Sequence, residues 1–360
     1  MIKNNSDFIY FCEAKQTNPN GDPDRENRPR MDTATKTNLV TKYRKKRNVR
    51  DYRKFKHDDI FVDTIDDKKV AVETKLKAIF LDSFEKKDIQ ELLKKNDYLR
   101  ECSKCTKIID IKELYSFLNE ILKKKKSDIN EEEKKLIKEI DIKKFNNELL
   151  TEIIKKSLYD IRLFGGAFAV EGFTRTFTGP VQINWGYSLH PVDEMKSNSL
   201  VTIMNDDSST FGKNFNVEYS FLAFNGTISK YTAKSTGMTE SDKEFFREAM
   251  VMGDLSNRTS SKSVEPVVYL EIEYKEGFHG FLGDLRNLLE VNFEIGKPIR
   301  NYNDIEVRAE KLVDKLVQFE NIIQKIHLWE NPIKEYRIFD MLRTNEKLKN
   351  KIKPLFFFKV

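Results

Sequence analysis

The chain has 360 residues, of which 39% are hydrophobic, 34% are charged and 26 are phenylalanine, and its formal net charge is +6. This composition supports a hydrophobic core and excludes a mainly disordered chain, and the length suits one elaborate domain or two smaller ones. No apolar run approaches the roughly 20 residues that span a bilayer, and the first residues lack the form of a signal peptide, so we expect a cytoplasmic protein.

The N-terminal region combines a strand, a loop and a helix. Residues 7–15 alternate and are rich in aromatic side chains, which predicts a β-strand. Residues 18–29 contain an Asn-Gly pair and three prolines, so we expect a turn-rich loop without regular structure. A helix is predicted to begin near Thr37 or Asn38, because either residue can cap it.

The segment from Lys42 to Lys56 is the most basic part of the chain. Its 15 residues hold nine Lys or Arg and one acid, so it nets about +8 while the full chain nets +6. Aromatic residues lie between the charges, and the charges break the apolar stripe expected of a helix that only packs into a core. This pattern favours binding to a polyanion, most often a nucleic acid. The alternative is a solvated run of charge.

The rest of the chain is expected to be a helical insertion followed by strands and further helices. Residues 84–156 are rich in Lys and Glu, and their apolar residues recur at helical spacing, which predicts several amphipathic helices. The other expected elements are an extended segment at 61–82, a helix at 149–161 that stops at Gly165-Gly166, a strand at 177–192, a polar excursion at 193–216, a strand at 217–228, a helix at 239–255, a strand at 267–274, a helix at 306–326 and a closing strand at 355–360.

Without the insertions, the order of elements is strand, helix, strand, strand, helix, strand. This is the βαββαβ order of a ferredoxin-like, or RRM-like, fold, so we expect the α+β class. A sheet of this topology is a common RNA platform, but the fold hosts many functions and does not determine one.

The cysteines do not form a zinc motif. Cys102 and Cys105 make a lone CSKC, and the remaining Cys12 and four histidines lie at no partner spacing. Because a structural zinc ion is held by four ligands, we expect free thiols. No metal ion or cofactor is predicted.

Three blocks of residues resemble the CRISPR-associated protein seven family, and among its subtypes the type I-B backbone subunit of Cascade effector complexes. They keep the order of the family over roughly the first three quarters of the chain, and together they are specific. The first block joins Asn18-Pro-Asn-Gly-Asp-Pro-Asp24 and Asn27-Arg-Pro-Arg30 to Asn38-Leu-Val-Thr41 and Lys46-Arg47-x-x-Arg50-Asp-Tyr52. The second joins Asp160-Ile-Arg-Leu-Phe-Gly-Gly-Ala-Phe-Ala169 to Phe177-Thr-Gly-Pro-Val-Gln-Ile183 and Ser188-Leu-His-Pro191. The third joins Val217-Glu-Tyr-Ser-Phe-Leu-Ala-Phe-Asn-Gly226 to Thr232-Ala-Lys-Ser-Thr-Gly237.

The resemblance implies a hand-shaped protein. Its palm is expected at 1–59 and 151–290 with an extension at 291–360, its helical fingers at 60–150, and its thumb hairpin at 193–216. Such proteins polymerise head to tail along a CRISPR RNA, where the thumb of one copy displaces guide bases at regular intervals. The implied partners are the CRISPR RNA, target DNA through the guide, neighbouring copies of the chain, and the guide-end-capping, large and small Cascade subunits.

A subunit that holds any spacer sequence needs phosphate contacts, because these give position without sequence information. Arg and Lys supply them, and close backbone approach at glycines assists. The expected RNA-binding residues are Asn20, Gly21, Arg28, Arg30, Lys45, Lys46, Arg47, Arg50, Arg162, Gly165, Gly166 and Arg175, and the expected base-displacing residues are Ile203 and Met204. Some of these assignments have an alternative. Gly165 and Gly166 could instead form a helix C-cap, and Arg162 could form a surface ion pair. Ile203 and Met204 could be buried in a core.

The main prediction is a non-catalytic RNA scaffold without catalytic residues. The rival is a metal-dependent endoribonuclease, because type III relatives cut target RNA with an aspartate near the palm, and Asp58 and Asp59 could lie there. Similar pairs at 66–67 and 206–207 weaken that signal, and no HExxH, P-loop or GxSxG motif is present. A third interpretation is a monomeric RRM-like regulator that prefers one RNA sequence.

Overall fold

The computed structural model describes residues 1–57, 59–63, 70–170, 172–196, 199–203, 209–334 and 336–357 as a mixed α+β protein with two compact units. The first unit comprises Met1–Asp58, Pro180–Lys234 and Met238–Val360, and the second comprises Asp59–Gly179 and Ser235–Gly237. Within the described ranges, every helix is too short or too polar to cross a membrane.

The chain has runs of mainly antiparallel strands and one long run of helices, which confirms the expected α+β class. The strands are β1 (Ser6–Thr17), β2 (Gly21–Asp22), β3 (Arg28–Pro29), β4 (Met31–Asp32), β5 (Thr37–Val40), β6 (Gly165–Val170), β7 (Phe173–Thr178), β8 (Val181–Ile183), β9 (Gly186–Ser188), β10 (Ser199–Ile203), β11 (Ser209–Lys213), β12 (Val217–Ile228), β13 (Val264–Tyr274), β14 (Glu290–Phe293), β15 (Ile305–Arg308), β16 (Ile323–Glu330) and β17 (Ile352–Pro354). The helices are α1 (Lys42–Lys56), α2 (Val72–Glu85), α3 (Leu92–Lys95), α4 (Asp97–Thr106), α5 (Ile111–Lys123), α6 (Glu131–Glu139), α7 (Ile142–Ser157), α8 (Tyr159–Phe164), α9 (Lys230–Thr236), α10 (Glu240–Ser256), α11 (Glu310–Gln318) and α12 (Asp340–Thr344).

One large sheet organises the first unit. Its order is β17-β16-β13-β1-β12-β9-β5-β4, and β8 also pairs with β12. The central strand β1 runs antiparallel to both neighbours, with Phe8 opposite Gly226 of β12 and Ile9 opposite Leu270 of β13. Because β1 and β12 each have 12 residues and are almost wholly buried, these strands form the rigid centre of the unit.

Both faces of this sheet are covered. On one face Phe8 contacts Phe246 of α10, with ring centroids 5.6 Å apart. On the other face Phe11 lies 6.1 Å from Phe339, within a core that also contains Leu312 of α11. The central strands therefore have no open face on which bases could stack, and the sheet is not the exposed RNA platform that its topology suggested.

The second unit is mainly helical, in agreement with the predicted amphipathic insertion. Fully buried Leu114, Leu118, Phe145 and Leu149 belong to one core formed by its helices. Side chains of Asn or Asp cap four of these helices by accepting backbone N–H bonds, which favours helix formation at their N-termini. The insertion was expected to end at 150, a position inside α7, whereas this compact unit continues to Gly179.

Several predicted boundaries were wrong. Residues 37–40 form strand β5, and the first helix begins at Lys42 with Thr41 as its cap. Much of the segment expected to be extended belongs to α2, whose preceding residue, Ala71, gives no capping hydrogen bond. The loop at 18–29 contains a two-residue antiparallel ladder and a short 3-10 turn.

The C-terminal elements also differ from the prediction. The expected helix at 306–326 is divided into strand β15, the nine-residue α11 and the start of β16. The closing strand was expected at 355–360, but β17 covers Ile352–Pro354 and pairs in parallel with β16. Residues 355–357 are not part of a strand, and 358–360 lie outside the described residues. The polar excursion forms the antiparallel pair β10 and β11, with Val201 opposite Phe211.

Candidate nucleic-acid interface

The start of α1 is joined to the loop that carries Asn20 and Gly21. The Oδ1 atom of Asn20 accepts the Thr41 backbone N–H at 2.8 Å, and the Thr41 hydroxyl accepts the Arg44 N–H at 3.2 Å. A Cβ atom on Gly21 would lie 2.9 Å from the backbone carbonyl oxygen of Asn27, closer than such atoms normally approach, so this turn of the loop favours glycine there. Asn20 and Gly21, which the sequence predicted to contact RNA, therefore also have a structural role at the N-terminus of α1.

Arg28 and Arg30 lie on the same loop and are partly exposed. The Arg28 guanidinium lies 4.3 Å from the centre of the Phe215 ring, and Arg30 forms an ion pair with Asp22 at 3.2 Å. The Arg30 carbonyl accepts the Leu39 N–H at 2.8 Å, which ties this loop to β5 and hence to the large sheet. The backbone of this loop is therefore held beside β5, which directly precedes the cap of α1.

The structure corrects the prediction for Lys45. Its side chain is only 2% exposed, and its Nζ atom donates to the Met250 carbonyl at 2.6 Å and to Asp254 at 2.7 Å. The same carboxylate accepts the Tyr10 hydroxyl and the Asn48 amide, each at 2.7 Å. Lys45 is therefore an internal cation and does not belong to the predicted RNA interface.

The buried stripe of α1 explains this error. The buried residues of the helix are Lys45, Asn48, Val49 and Tyr52, which follow the i, i+3, i+4, i+7 spacing of one helix face. Two of these four are polar, so a search for apolar periodicity misses the stripe. Asp254, which satisfies both of them, lies about two hundred residues away and has no signal in the local sequence.

Lys46, Arg47 and Arg50 lie outside that stripe. Lys46 and Arg50 are half-buried, and the Arg47 side chain is 45% exposed and pairs with Asp51 at 2.6 Å. Burial, followed by the positive charges of Arg50 and Lys42, lowers the pKa of Lys46 to about 8. The share of this lowering that comes from Arg50 and Lys42 indicates a locally positive potential, which a nearby anion would relieve.

Two aromatic side chains of α1 are also exposed. Tyr43 is 68% and Phe55 is 66% exposed, although large aromatic groups usually find a buried position. Aromatic rings among cations offer stacking surfaces for unpaired bases in addition to the phosphate contacts. The exposed side of α1 therefore combines both kinds of group that bind single-stranded nucleic acid.

The remaining predicted residues belong to the second unit or to the hairpin. Arg162 donates to the carbonyls of Lys155 and Lys156 at 3.1 and 2.9 Å, so it caps the C-terminus of α7. Arg175 is partly exposed and lies 3.5 Å from Glu148. Ile203 ends β10 opposite Ser209, and Met204 lies outside the described residues.

Gly165 adopts the C-cap alternative, whereas Gly166 lies within β6. Gly165 has a φ of +71° and donates its N–H to the Ile161 carbonyl at the end of α8. A Cβ atom there would lie 2.1 Å from the Phe177 carbonyl oxygen, and Gly166 pairs with Phe177 in the β6–β7 hairpin. Backbone geometry alone therefore accounts for Gly165, without a phosphate.

A buried cluster under α10 has the composition of a metal site. Ligand atoms of Glu271, Glu273 and His327 lie within 4.8 Å of one another. However, Arg247 binds Glu271 at 2.7 Å and Lys243 lies 3.2 Å from it, so two buried cations already balance the two carboxylates. Burial raises the pKa of Glu273, but the His327 hydrogen bond and the Lys243 charge prevail and lower it to about 2. We interpret the cluster as an internal ion network, because a divalent cation would face both of these charges.

The CSKC pair lies on α4 and shows no feature of a metal centre. Cys102 is buried, Cys105 is exposed, and these two and Cys12 are free thiols. Burial raises the pKa of Cys102 to about 11, so its thiol stays protonated at neutral pH, whereas a zinc ligand is a thiolate. None of the three cysteines forms a disulfide among the described residues.

Comparison with known proteins identifies relatives over nearly the whole chain. A protein from Haloferax volcanii named CRISPR-associated protein Cas7 is 26% identical over 335 residues, covering 90% of this chain and 86% of the relative. A solved chain described as part of a CRISPR RNA-guided surveillance complex, pre-nicking, superposes with a TM-score of 0.52 at 10% identity, covering 98% of this chain and 96% of that one, which shows the fold alone. The model of the family described as CRISPR-associated protein Cas7 matches residues 4–310, so the chain belongs to that family.

Proposed function

We propose that this chain is the non-catalytic backbone subunit of a type I CRISPR effector complex, of the I-B subtype, in the cytoplasm. It polymerises along the spacer of a CRISPR RNA and presents the bases for pairing with target DNA. The observation that carries this proposal, beyond family membership, is the exposed basic and aromatic side of α1 beside the loop with Arg28 and Arg30. The solved chain of similar fold comes from an RNA-guided complex, which agrees with this proposal.

The arrangement of α1 suits an RNA of any sequence. Phosphate contacts by Lys46, Arg47 and Arg50 fix the position of a strand but read no base. Because the buried Lys45 and Asp254 hold the opposite side of the helix, these cations are presented from a rigid element. Both faces of the sheet are covered, so we place the guide along α1 and the neighbouring loop.

The proposed architecture is a hand. The order β13-β1-β12 with β8 and β9 at the far side, together with α1 and α10, supports a ferredoxin-like palm. The helical second unit corresponds to the fingers, and the β10–β11 pair to a thumb whose tip displaces guide bases. The partners that follow are the CRISPR RNA, neighbouring copies, target DNA through the guide, and the guide-end-capping, large and small subunits.

The nuclease alternative gains no support from the described geometry. Asp58 lies outside the described residues, and the backbone carbonyl of Asp59 accepts the Tyr159 N–H at 2.9 Å, a bond that does not involve the Asp59 carboxylate. Glu271 and Glu273, the buried acids closest to a metal-binding arrangement, are occupied by Lys243 and Arg247.

The function is tested by measuring affinity for two unrelated RNAs of equal length across a series of salt concentrations. A scaffold that contacts several phosphates should show log K falling with log salt at about −0.7 per contact, with equal affinity for both RNAs. A flat salt response, or a preference above roughly 100-fold for one RNA, would instead favour the sequence-specific regulator. Size-exclusion mass together with the 260/280 nm absorbance ratio then shows whether the RNA-bound form is a large assembly.

A further inference from the structure

The first unit contains a cleft that is lined by no residue of α1. It has a volume of about 750 Å³ and opens between β1, the start of β13 and the segments around Tyr302 and Tyr336. Cavities of a few hundred to a thousand Å³ with a few converging polar groups are the usual size of small-ligand sites. None of the residues proposed above to contact RNA lines this cleft.

Two tyrosine rings form its aromatic wall. The rings of Tyr302 and Tyr336 meet edge to face, with centroids 4.3 Å apart and an interplanar angle of 81°. Tyr302 also lies 5.2 Å from the buried Phe221, and the Tyr336 hydroxyl donates to Glu13 at 2.9 Å. Both rings are thus held in place before a ligand arrives, which lowers the entropic cost of stacking a planar group on them.

The charged side chains that line the cleft include one more cation than acids. Lys334 binds both Glu13 and Glu265, and Arg258 lies 3.4 Å from Glu265. Two acids are therefore balanced by two cations, and the exposed Lys15 on the same wall forms no ion pair with any described residue. A cleft with a net positive charge and an arginine at its rim suits a phosphate group.

We propose that this cleft binds a nucleotide, with its base against Tyr302 and Tyr336 and its phosphate at Lys15 and Arg258. Asn301 and Asn303 line the same wall, and asparagine amides hydrogen-bond the edges of purine bases. Stacking rings, amides and a cationic rim together match the three parts of a nucleotide that a protein recognises. The site is independent of the contacts proposed for α1.

The test is calorimetric titration of the nucleic-acid-free full chain with AMP, GMP, CMP and UMP, and with inorganic phosphate. We expect the purine monophosphates to bind more tightly than the pyrimidine ones, and inorganic phosphate at least tenfold more weakly than AMP. Lys15→Ala with Arg258→Ala, and separately Tyr302→Leu, should each weaken AMP binding by about tenfold or more, since one base stack alone is worth that much. Tyr302→Phe, which keeps the ring, should retain most of the affinity.

Two control variants distinguish binding in this cleft from a general effect of surface charge and from binding at α1. Lys325→Ala with Lys347→Ala removes the same charge from exposed positions that do not line the cleft, and should leave AMP binding unchanged. Lys46→Ala with Arg47→Ala and Arg50→Ala should also retain it, even where long RNA is lost. The proposal is overturned if AMP produces no saturable heat up to about 10 mM, or if inorganic phosphate binds as tightly as AMP. It is also overturned if the cleft variant, Lys15→Ala with Arg258→Ala, binds AMP like the unmodified protein.

Discussion

Lys45 on α1 and Asp254 on α10 form a buried ion pair with an Nζ to Oδ2 distance of 2.7 Å, and their side chains are 2% and 3% exposed. The pair links two helices that lie on the same face of the large sheet, and Tyr10 of β1 binds the same carboxylate oxygen. On the function proposed above, a basic helix that holds a polyanion needs such an anchor to the body of the protein. This charge interaction of α1 is directed into the core of the unit.

Asp254→Ala should strongly destabilise the first unit. The substitution leaves the Lys45 ammonium buried without its carboxylate, and breaking a buried pair in this way costs about 3–5 kcal/mol. Urea unfolding followed by circular dichroism measures the change. Glu306→Ala removes the exposed partner of Arg308 and serves as the control, with little expected effect. An unchanged unfolding midpoint for Asp254→Ala would show that the pair does not anchor the helix.

Lys46→Ala combined with Arg47→Ala and Arg50→Ala should remove RNA binding without unfolding the protein. These side chains lie outside the buried stripe of α1, so the core does not depend on them. Each lost phosphate contact should also reduce the salt slope by about 0.7. Filter binding gives the affinity, and circular dichroism gives the fold.

The matched control for this triple variant removes three exposed lysines of the helical unit, Lys94, Lys95 and Lys104. It changes the net charge by the same amount, so it separates local contacts from general electrostatic attraction. Equal loss of RNA affinity in both triple variants, or an unfolded α1 variant, would contradict the site assignment.

The central strands could be predicted from sequence because their residues are buried on both faces. The segment 217–228 is rich in aromatic and aliphatic residues, which predicts a strand, and the structure has a strand with the same bounds. The start of α1 was harder to predict than the central strands, because Thr37, Asn38 and Thr41 all have side chains that can cap a helix. Tertiary contacts decide among them, since the Asn38 amide is buried and bonds to the Arg30 carbonyl and to Ser220.

The C-terminal error has a different physical cause. Leu312, Val313 and Leu316 give a helical stripe, and the later apolar residues Ile323 and Ile326 continue it with no intervening proline or glycine. A single long helix was therefore the simplest interpretation of that spacing. In the structure α11 ends at Gln318, and Ile326 pairs with Ile272 of β13. Strand pairing of this kind depends on a partner more than fifty residues earlier, which a local window does not contain.

The purified chain should not cleave nucleic acid. The expectation depends on the resemblance to type I proteins and on the absence of a distinctive acidic motif in the sequence. Incubation with labelled complementary RNA and DNA, with and without Mg²⁺, followed by gel electrophoresis, tests it. Cleavage that disappears in Asp58→Ala or Asp59→Ala, but persists in the matched variant Asp97→Ala, would establish the endoribonuclease alternative.

Asp7 should make stability depend on pH in the direction opposite to most carboxylates. The residue is fully buried, and burial raises its pKa to about 6, although hydrogen bonds from Tyr274, Leu282 and Gly283 oppose this. The folded state therefore binds the proton more tightly than the unfolded chain, whose Asp pKa is about 3.9. The stabilising contribution of protonated Asp7 is complete below about pH 4 and is lost as the pH rises through about 6.

Asp7→Asn removes this ionisation but keeps an oxygen that can accept the Tyr274 hydroxyl and the Leu282 N–H. We expect the variant to gain up to roughly 3 kcal/mol relative to the unmodified protein at pH 7.5, since each unit of pKa shift corresponds to about 1.4 kcal/mol. At pH 4 the gain should disappear, because both proteins are then neutral at this position. Urea unfolding at a series of pH values gives the difference, and the exposed Asp24→Asn is the control. A loss of stability that is the same at every pH would mean that hydrogen-bond geometry at Asp7, rather than its charge, determines the effect.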